Sequence, residues 1–297
     1  MEGAHMQDRS ELIHEIFGDD ADAAQIRPVS GGEINEAYLI LLTDGRRVFL
    51  KENSQRNAGF FEAEKTGLEA IRSTGAIRVP EVLACKVTGG RACLLMEYLE
   101  EAPRKRDFWE RFGRQLADLH RADTAVWTDG GKYGFTENNY IGAGRQINSV
   151  RDRWISFFRE CRLEVQFQKA QHYFDASGRR QMQSLLDRLE DYLIEPEHPS
   201  LLHGDLWGGN FVAGPDGYAW LIDPAVYVGH AEADLAMTEL FGGFAPAFYD
   251  AYKEAGTVLE GYADRREIYN LYHLLNHLNL FGGGYYGSVM RIVKRYA

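Results

Sequence analysis

Cysteine is scarce in this chain. Cys85, Cys93 and Cys161 are the only three in 297 residues. They are too few and too scattered for a disulfide framework, and no metal-ligand spacing links them. The expectation is a reducing, cytoplasmic setting with buried free thiols, although Cys85 and Cys93 lie close enough to face one another across a hairpin. No apolar run reaches membrane-spanning length, and no signal peptide is visible. Positive charge is also short: 33 Lys and Arg stand against 44 Asp and Glu, a formal net charge of −11. That balance gives no support for a nucleic-acid surface and argues mildly against an anionic membrane. Any polyanionic ligand must therefore find its positive partners or metal locally. A Walker A loop is missing, because no Gly-Lys-Ser/Thr opens a helix. Internal repeats and low-complexity tracts are missing too.

What is present is an ordinary globular composition, 45% hydrophobic and 26% charged, with enough length for one large domain or two lobes. The organising stretch is His203-Gly204-Asp205-Leu206-Trp207-Gly208-Gly209-Asn210. Two short apolar runs follow, Phe211 to Ala213 and Tyr218 to Ile222. They flank the turn Gly214-Pro215-Asp216-Gly217, and the second delivers Asp223. This is the order of a catalytic loop, a β-hairpin and a metal-binding Asp in kinase-fold phosphotransferases. Such chemistry needs one carboxylate to orient and deprotonate an attacking hydroxyl, and Asp205 is assigned to it. Magnesium keeps several waters and takes few protein oxygens, and Asn210 and Asp223 fit that need. A hairpin with polar ends is the bland alternative. The three residues together, with a lysine far upstream, favour the chemical reading.

The first hundred residues supply that lysine. Met1 to Met6 reads as a cloning remnant and is set aside, and Gln7 to Phe17 patterns as a short amphipathic helix. Gly31 and Gly32 would let backbone amides approach a phosphate, although two glycines are more often a plain turn. A strand from Tyr38 to Leu42, the Asp44-Gly45 turn and a strand from Val48 to Lys51 follow. Phe60 to Ser73 is helical by pattern. Glu64 is the choice to hold Lys51 on the α- and β-phosphates, with Glu62 in reserve; helix-dipole preference alone would explain either. The run Ala92 to Tyr98 should lead into an inter-lobe hinge, with backbone groups of Met96, Glu97 and Tyr98 meeting an adenine edge. Pro103 to Arg106 reads as the linker. The expectation is therefore an α+β, two-lobed protein-kinase-like fold. A small antiparallel-sheet N-lobe spans 7–102 and a larger, mostly helical C-lobe 103–297.

Asp107 to Arg121 patterns as a helix capped by Asp107, with Phe108, Phe112, Leu116 and Leu119 on one face. His120 either supports the catalytic loop or satisfies the helix C-terminus. Thr128 to Asn148 reads as a long ordered loop. Val150 to Leu193 reads as two helices, with Trp154, Phe157 and Phe158 in the core. Helices are expected over Asp234 to Phe241, Pro246 to Ala255, Asp264 to Leu280 and Gly287 to the end. Trp207, Tyr227, His230, His273, Asn276 and His277 are candidates to line an acceptor site, with ordinary packing about as good an account of each.

Five stretches resemble the fructosamine kinase (ketosamine-3-kinase) family, a relative of aminoglycoside phosphotransferases and choline kinases. They are Gly31 to Tyr38, Phe61 to Leu68, His203 to Asn210, Asp223 to Met237, and Tyr272 to His277 followed by Phe281-Gly282-Gly283. The resemblance implies ATP- and magnesium-dependent phosphorylation of a sugar hydroxyl, on C3, of a ketosamine or glycated protein. Deglycation repair is the implied purpose. It also implies that Asp205 is the proton acceptor, that Lys51, Glu64, Asn210 and Asp223 hold nucleotide and metal, and that Asp234 braces the catalytic loop. Glu33 stands where some relatives carry a cross-linking Cys, so no such redox switch is expected. Ala231 replaces the Arg of a Gly-His-Arg-Glu pattern. Only about ten residues separate Asp223 from Asp234, too few for a peptide-docking activation segment, and no Ala-Pro-Glu anchor is present. A kinase of another small alcohol, such as an aminoglycoside, choline or a free sugar, is the alternative. A monomer or weak dimer is expected.

Overall fold

The computed structural model describes residues 2–29, 35–256 and 258–297. Gly31, Gly32 and Glu33 lie outside them. The first half is built on one antiparallel sheet: β1 (Ala23–Pro28), β2 (Glu36–Leu42), β3 (Arg47–Ser54), β4 (Val82–Thr88) and β5 (Arg91–Glu97), in the order β1-β2-β3-β5-β4. β1 was not foreseen as a strand. Helix α1 (Glu2–Phe17) takes in residues 2–6, which the sequence reading set aside. α2 (Ala58–Thr74) packs on the other face of the sheet.

The two-residue period of a strand decides which side chains meet which helix. On β3, Val48, Leu50 and Glu52 are buried toward α1, where Leu12 and Ile13 join them in a core with Ile40, Leu42 and Leu95. Phe49 and Lys51 therefore face α2. Glu52 is the charged exception on the α1 side. Arg9 satisfies it through two hydrogen bonds, at 2.9 and 2.6 Å. In the β4–β5 pair Cys93 lies opposite Lys86, not Cys85, and all three thiols are free. Burial pushes those of Cys85 and Cys93 up to about 12.

The second half is largely helical. It begins with α3 (Phe108–His120), whose Phe108, Phe112, Leu116 and Leu119 are buried as patterned. Asp107 does not cap it. Its backbone, at φ −99° and ψ 25°, is not extended as a capping residue requires, and its carboxylate instead accepts from the Tyr218 hydroxyl at 3.1 Å. The expected loop over 128–148 contains a hairpin, β6 (Asn139–Ile141) and β7 (Gly144–Gln146). Next come α4 (Trp154–Phe158), a π turn (Arg159–Leu163), α5 (Glu164–Ala170), α6 (Ala176–Asp187) and α7 (Leu189–Tyr192). Trp154, Phe157 and Phe158 are core residues. β8 (Ser200–Leu202) pairs with β11 (Tyr227–Gly229), and between them β9 (Phe211–Ala213) pairs with β10 (Ala219–Leu221). α8 (Ala231–Leu240), α9 (Pro246–Glu254), α10 (Tyr262–Phe281) and α11 (Tyr286–Tyr296) close the chain.

Candidate active site

The Lys51 amine reaches across from β3 to Glu64 of α2, at 2.6 Å, and also binds the Asp223 carboxylate. Asp223 comes from the other half of the chain, 172 residues away in sequence. Burial works against the charged form of Lys51, but the two carboxylates outweigh it and hold its pKa above the ordinary lysine value. Burial raises Glu64, with Lys51 opposing. For Asp223 burial also opposes ionisation, and Lys51 overrides it and brings the pKa down. Glu62, the reserve choice, points elsewhere and accepts from the Cys85 thiol at 3.4 Å.

α2 docks closely on the segment that follows Asp223. Gly67 allows this, because a Cβ there would stand 2.8 Å from Val226 and 3.2 Å from Pro224. Asp223 itself has φ +51°, a backbone conformation uncommon outside glycine. It is fixed on both sides, by Ile222 N–H to Asn210 O at 3.0 Å and Ala225 N–H to His203 O at 2.8 Å. The strained residue carries a functional candidate, as stored backbone strain often does.

The catalytic-loop stretch is held from beneath. Asp234, 2% exposed in the first turns of α8, accepts from the backbone N–H of His203 at 2.7 Å and of Gly204 at 2.9 Å. His120 lies 3.1 Å from the same carboxylate and 2.6 Å from the Tyr252 hydroxyl. Of the two roles open to His120, the structure shows loop support. Burial opposes ionisation of Asp234, yet these partners bring its pKa down. Gly204 turns the chain at φ +84°, where a Cβ would collide with Ala225 O at 1.9 Å. His203 links the loop to the segment that carries Asp223. Its Nε2–H donates to Ile222 O at 2.9 Å, leaving Nδ1 to accept from Asp205 N–H at 3.2 Å. Burial keeps this ring neutral.

Asp205 stands at the mouth of the loop. Burial pushes its carboxyl up to about 7, against a hydrogen bond from Asn210 and with help from Asp223 and Asp234. The Asn210 amide donates to Asp205 O at 2.8 Å and to its carboxylate at 3.1 Å, which aims the Asn210 side-chain oxygen away from Asp205. The Asp223 side chain keeps 47% of its surface exposed. One amide oxygen and one carboxylate suit a hard cation that takes few protein ligands. Among the described residues no group of three or more His, Cys, Asp or Glu forms a metal site, so phosphate and water would complete such a cation's shell.

At the expected hinge, Glu97 N–H is already engaged by Glu81 O at 2.9 Å and is not free for an adenine edge. Met96 is buried in β5, and Arg47 lies over the Tyr98 ring. The six acceptor-side candidates separate. Tyr227, 2% exposed, points inward from β11 under the Arg162 guanidinium, 3.9 Å away. His230 is 2% exposed and caps α8 by accepting from Glu232 N–H, with its pKa pushed down to about 3 by burial. These two belong to the interior. His273 and Asn276 are buried on α10, where the Asn276 oxygen accepts from Gln166 at 3.2 Å. Trp207 is exposed, and His277 is half-buried among rings.

The family model described as fructosamine kinase matches residues 5–297. A Synechocystis protein named as a probable ketoamine kinase is 38% identical over 294 residues, covering 98% of this chain and 97% of the relative. The chain belongs to the fructosamine kinase family. An Arabidopsis thaliana protein-ribulosamine 3-kinase, described as chloroplastic, is 38% identical over 278 residues, 92% of this fructosamine kinase and 82% of the relative. Among solved structures, a Haemophilus somnus protein provisionally named a fructosamine-3-kinase superposes with a TM-score of 0.85 at 28% identity, covering 98% and 97% of the two chains. An aminoglycoside phosphotransferase solved with ADP and hygromycin B matches at 16% identity and a TM-score of 0.63, over 97% and 98%. That likeness extends the kinase-like fold beyond the family. This fructosamine kinase is an ATP-dependent phosphotransferase.

One supporting device in this fructosamine kinase escaped the sequence reading. Gln146 donates to Ala225 O at 3.0 Å, and Asn139 donates to Val226 O at 2.7 Å. Asn148, Tyr272 and Arg162 complete a buried network behind them. The β6–β7 hairpin thus secures the segment between β10 and β11 that carries Asp223. Tyr140 of β6 also meets Phe60 of α2 edge to face, with centroids 4.3 Å apart, so the hairpin touches the helix bearing Glu64 as well. The available signal was the run of Asn and Gln between 138 and 148.

Proposed function

We propose that this protein transfers the γ-phosphoryl group of ATP to the C3 hydroxyl of a ketosamine, on a small metabolite or a glycated protein. Asp205 takes the hydroxyl proton. Its pKa near 7 suits a general base at neutral pH, able to give up and accept a proton with little bias. Lys51, positioned by Glu64, binds the α- and β-phosphates. Asn210 and Asp223 hold magnesium, which when bound neutralises charge on the β- and γ-phosphate oxygens. Asp234 fixes the loop so that Asp205 meets the acceptor in one orientation. The segment after Glu97 receives the adenine, between lobes spanning 7–102 and 103–297.

The observation that carries the reading is the Lys51 amine joined to Glu64 and Asp223 from opposite halves of the chain. Trp207 and His277 are the acceptor-side candidates with surface left to meet a sugar. Phosphorylating C3 makes the adduct labile, so deglycation repair in the cytoplasm is the proposed role, and three free thiols suit that compartment. The test is turnover of ATP over a panel of ketosamines, free sugars, choline and an aminoglycoside, with the product's phosphorylated carbon read by NMR. Ketosamine phosphorylation at C3 supports the proposal. Turnover confined to another class overturns it.

A further inference from the structure

Among the described residues, three Phe, Trp or Tyr side chains are exposed: Trp207 at 40%, Phe241 at 44% and Phe281 at 55%. All three belong to one run of touching rings. Trp207 meets Phe241 at 6.3 Å between centroids, Phe241 meets His277 at 5.2 Å, and His277 meets both Phe281, at 5.4 Å, and Tyr285, at 5.1 Å. Four separate elements supply them. Trp207 is on the catalytic loop, Phe241 directly follows α8, His277 and Phe281 lie on α10, and Tyr285 closes the turn after it.

The run leads outward from the reacting carboxylate. Trp207 is two residues from Asp205. On α10, His273, His277 and Phe281 are spaced four apart and share one face. Along that face burial falls from His273, 5% exposed, through half-buried His277 to exposed Phe281. The backbones approach closely enough to bring Phe241 beside Trp207, since a Cβ on Gly243 would stand 3.8 Å from Gly208 Cα. His277 Nδ1 is buried with no hydrogen-bond partner among the described residues, and burial keeps the ring neutral.

We infer that these rings form the subsite for the amine part of the acceptor, taking a protonated secondary amine that bears an apolar or aromatic substituent. The inference rests on the ketosamine reading above and extends it. Ring faces attract an ammonium, and ring edges and faces pack an apolar substituent. A protein partner fits less well, because three half-exposed rings offer only about 300 Å², against the roughly 800 Å² that each side of a stable interface buries. Trp207 follows Asp205 by two residues on the same loop, which favours a group attached to the reacting sugar.

The test compares two acceptors sharing one sugar, 1-deoxy-1-(benzylamino)fructose and 1-deoxy-1-(methylamino)fructose, in steady-state kinetics. The wild type should show a KM for the benzyl compound about tenfold below that for the methyl compound. Phe241→Ala and Phe281→Ala should each abolish most of that ratio, and Phe281→Tyr should restore it. A merely structural role would move both acceptors together. A wild type that turns over the methyl compound without preferring the benzyl one, or a ratio untouched by both alanine variants, sinks the subsite alone. Turnover of neither ketosamine sinks the reading on which it rests, and the subsite with it.

Discussion

Replacing Asp234 with Asn changes one atom type at a fully enclosed position, and the structure sets the cost. The carboxylate accepts from His203 N–H at 2.7 Å, Gly204 N–H at 2.9 Å and faces His120 at 3.1 Å, with 1% of the side chain exposed. An Asn side chain can accept from one backbone amide. Its NH2 then confronts the other, donor against donor, and neither can reach water. A buried donor without an acceptor costs about 1–3 kcal/mol, and a bond to a charged acceptor is lost as well. The expected destabilisation is about 2–4 kcal/mol, or a fall in Tm of roughly 3–6 °C for a chain of this size. The loop should relax at Gly204, one residue from Asp205. Misplacement on the order of 1 Å costs up to about a hundredfold in kcat. Thermal unfolding and steady-state kinetics of Asp234→Asn check both. Stability within about 0.5 kcal/mol of wild type, with kcat unchanged, would refute the bracing role.

Asp205→Asn should stabilise the ligand-free protein at pH 8. Asp205 has a native pKa of about 7, above the usual carboxylate value, so the native state binds more protons than the unfolded state between about pH 4 and 7. Its contribution is favourable at acid pH and is lost as pH rises through 7. The gain is about 1–2 kcal/mol at pH 8 and near zero at pH 4, below the full shift because the side chain keeps some solvent contact. Chemical denaturation at the two pH values measures it, and equal effects at both would contradict it. The same titration predicts that kcat/KM rises with pH through an acid limb at or just below 7, where a flat profile from pH 5 to 8 would count against Asp205 as the base. Glu64→Gln should lower kcat about tenfold or more by releasing Lys51, while Glu62→Gln, whose partner is a thiol on β4, should not. Equal losses from the two would contradict Glu64 as the residue that positions Lys51.

The sequence made the Lys51 strand legible because Asp44-Gly45 pins a hairpin register, and alternation then assigns Lys51 and Leu50 to opposite faces. It left Glu62 and Glu64 undecided, since both sit in the early turns of α2. Only the docking of Gly67 on Pro224 and Val226 sets the rotation that brings Glu64 to Lys51. Asp205, Asn210 and Asp223 were readable because they fall within one short stretch. The β6–β7 hairpin was not readable: three-residue strands carry no period, and its Asn and Gln side chains look like loop polarity until their buried carbonyl partners appear. His230 turns inward because it caps α8, and Tyr227 because of its face on the equally short β11. Nothing in β11 alone tells which face meets the Arg162 guanidinium.

The most direct test of the central claim, that Lys51, Asp205, Asn210 and Asp223 make one phosphoryl-transfer site, is single-turnover transfer from ATP to a ketosamine by Asp205→Asn, paired with calorimetric ATP affinity in magnesium. The account predicts loss of transfer on the order of 10²-fold or more with nucleotide affinity largely retained. Near-wild-type transfer by the variant would contradict it.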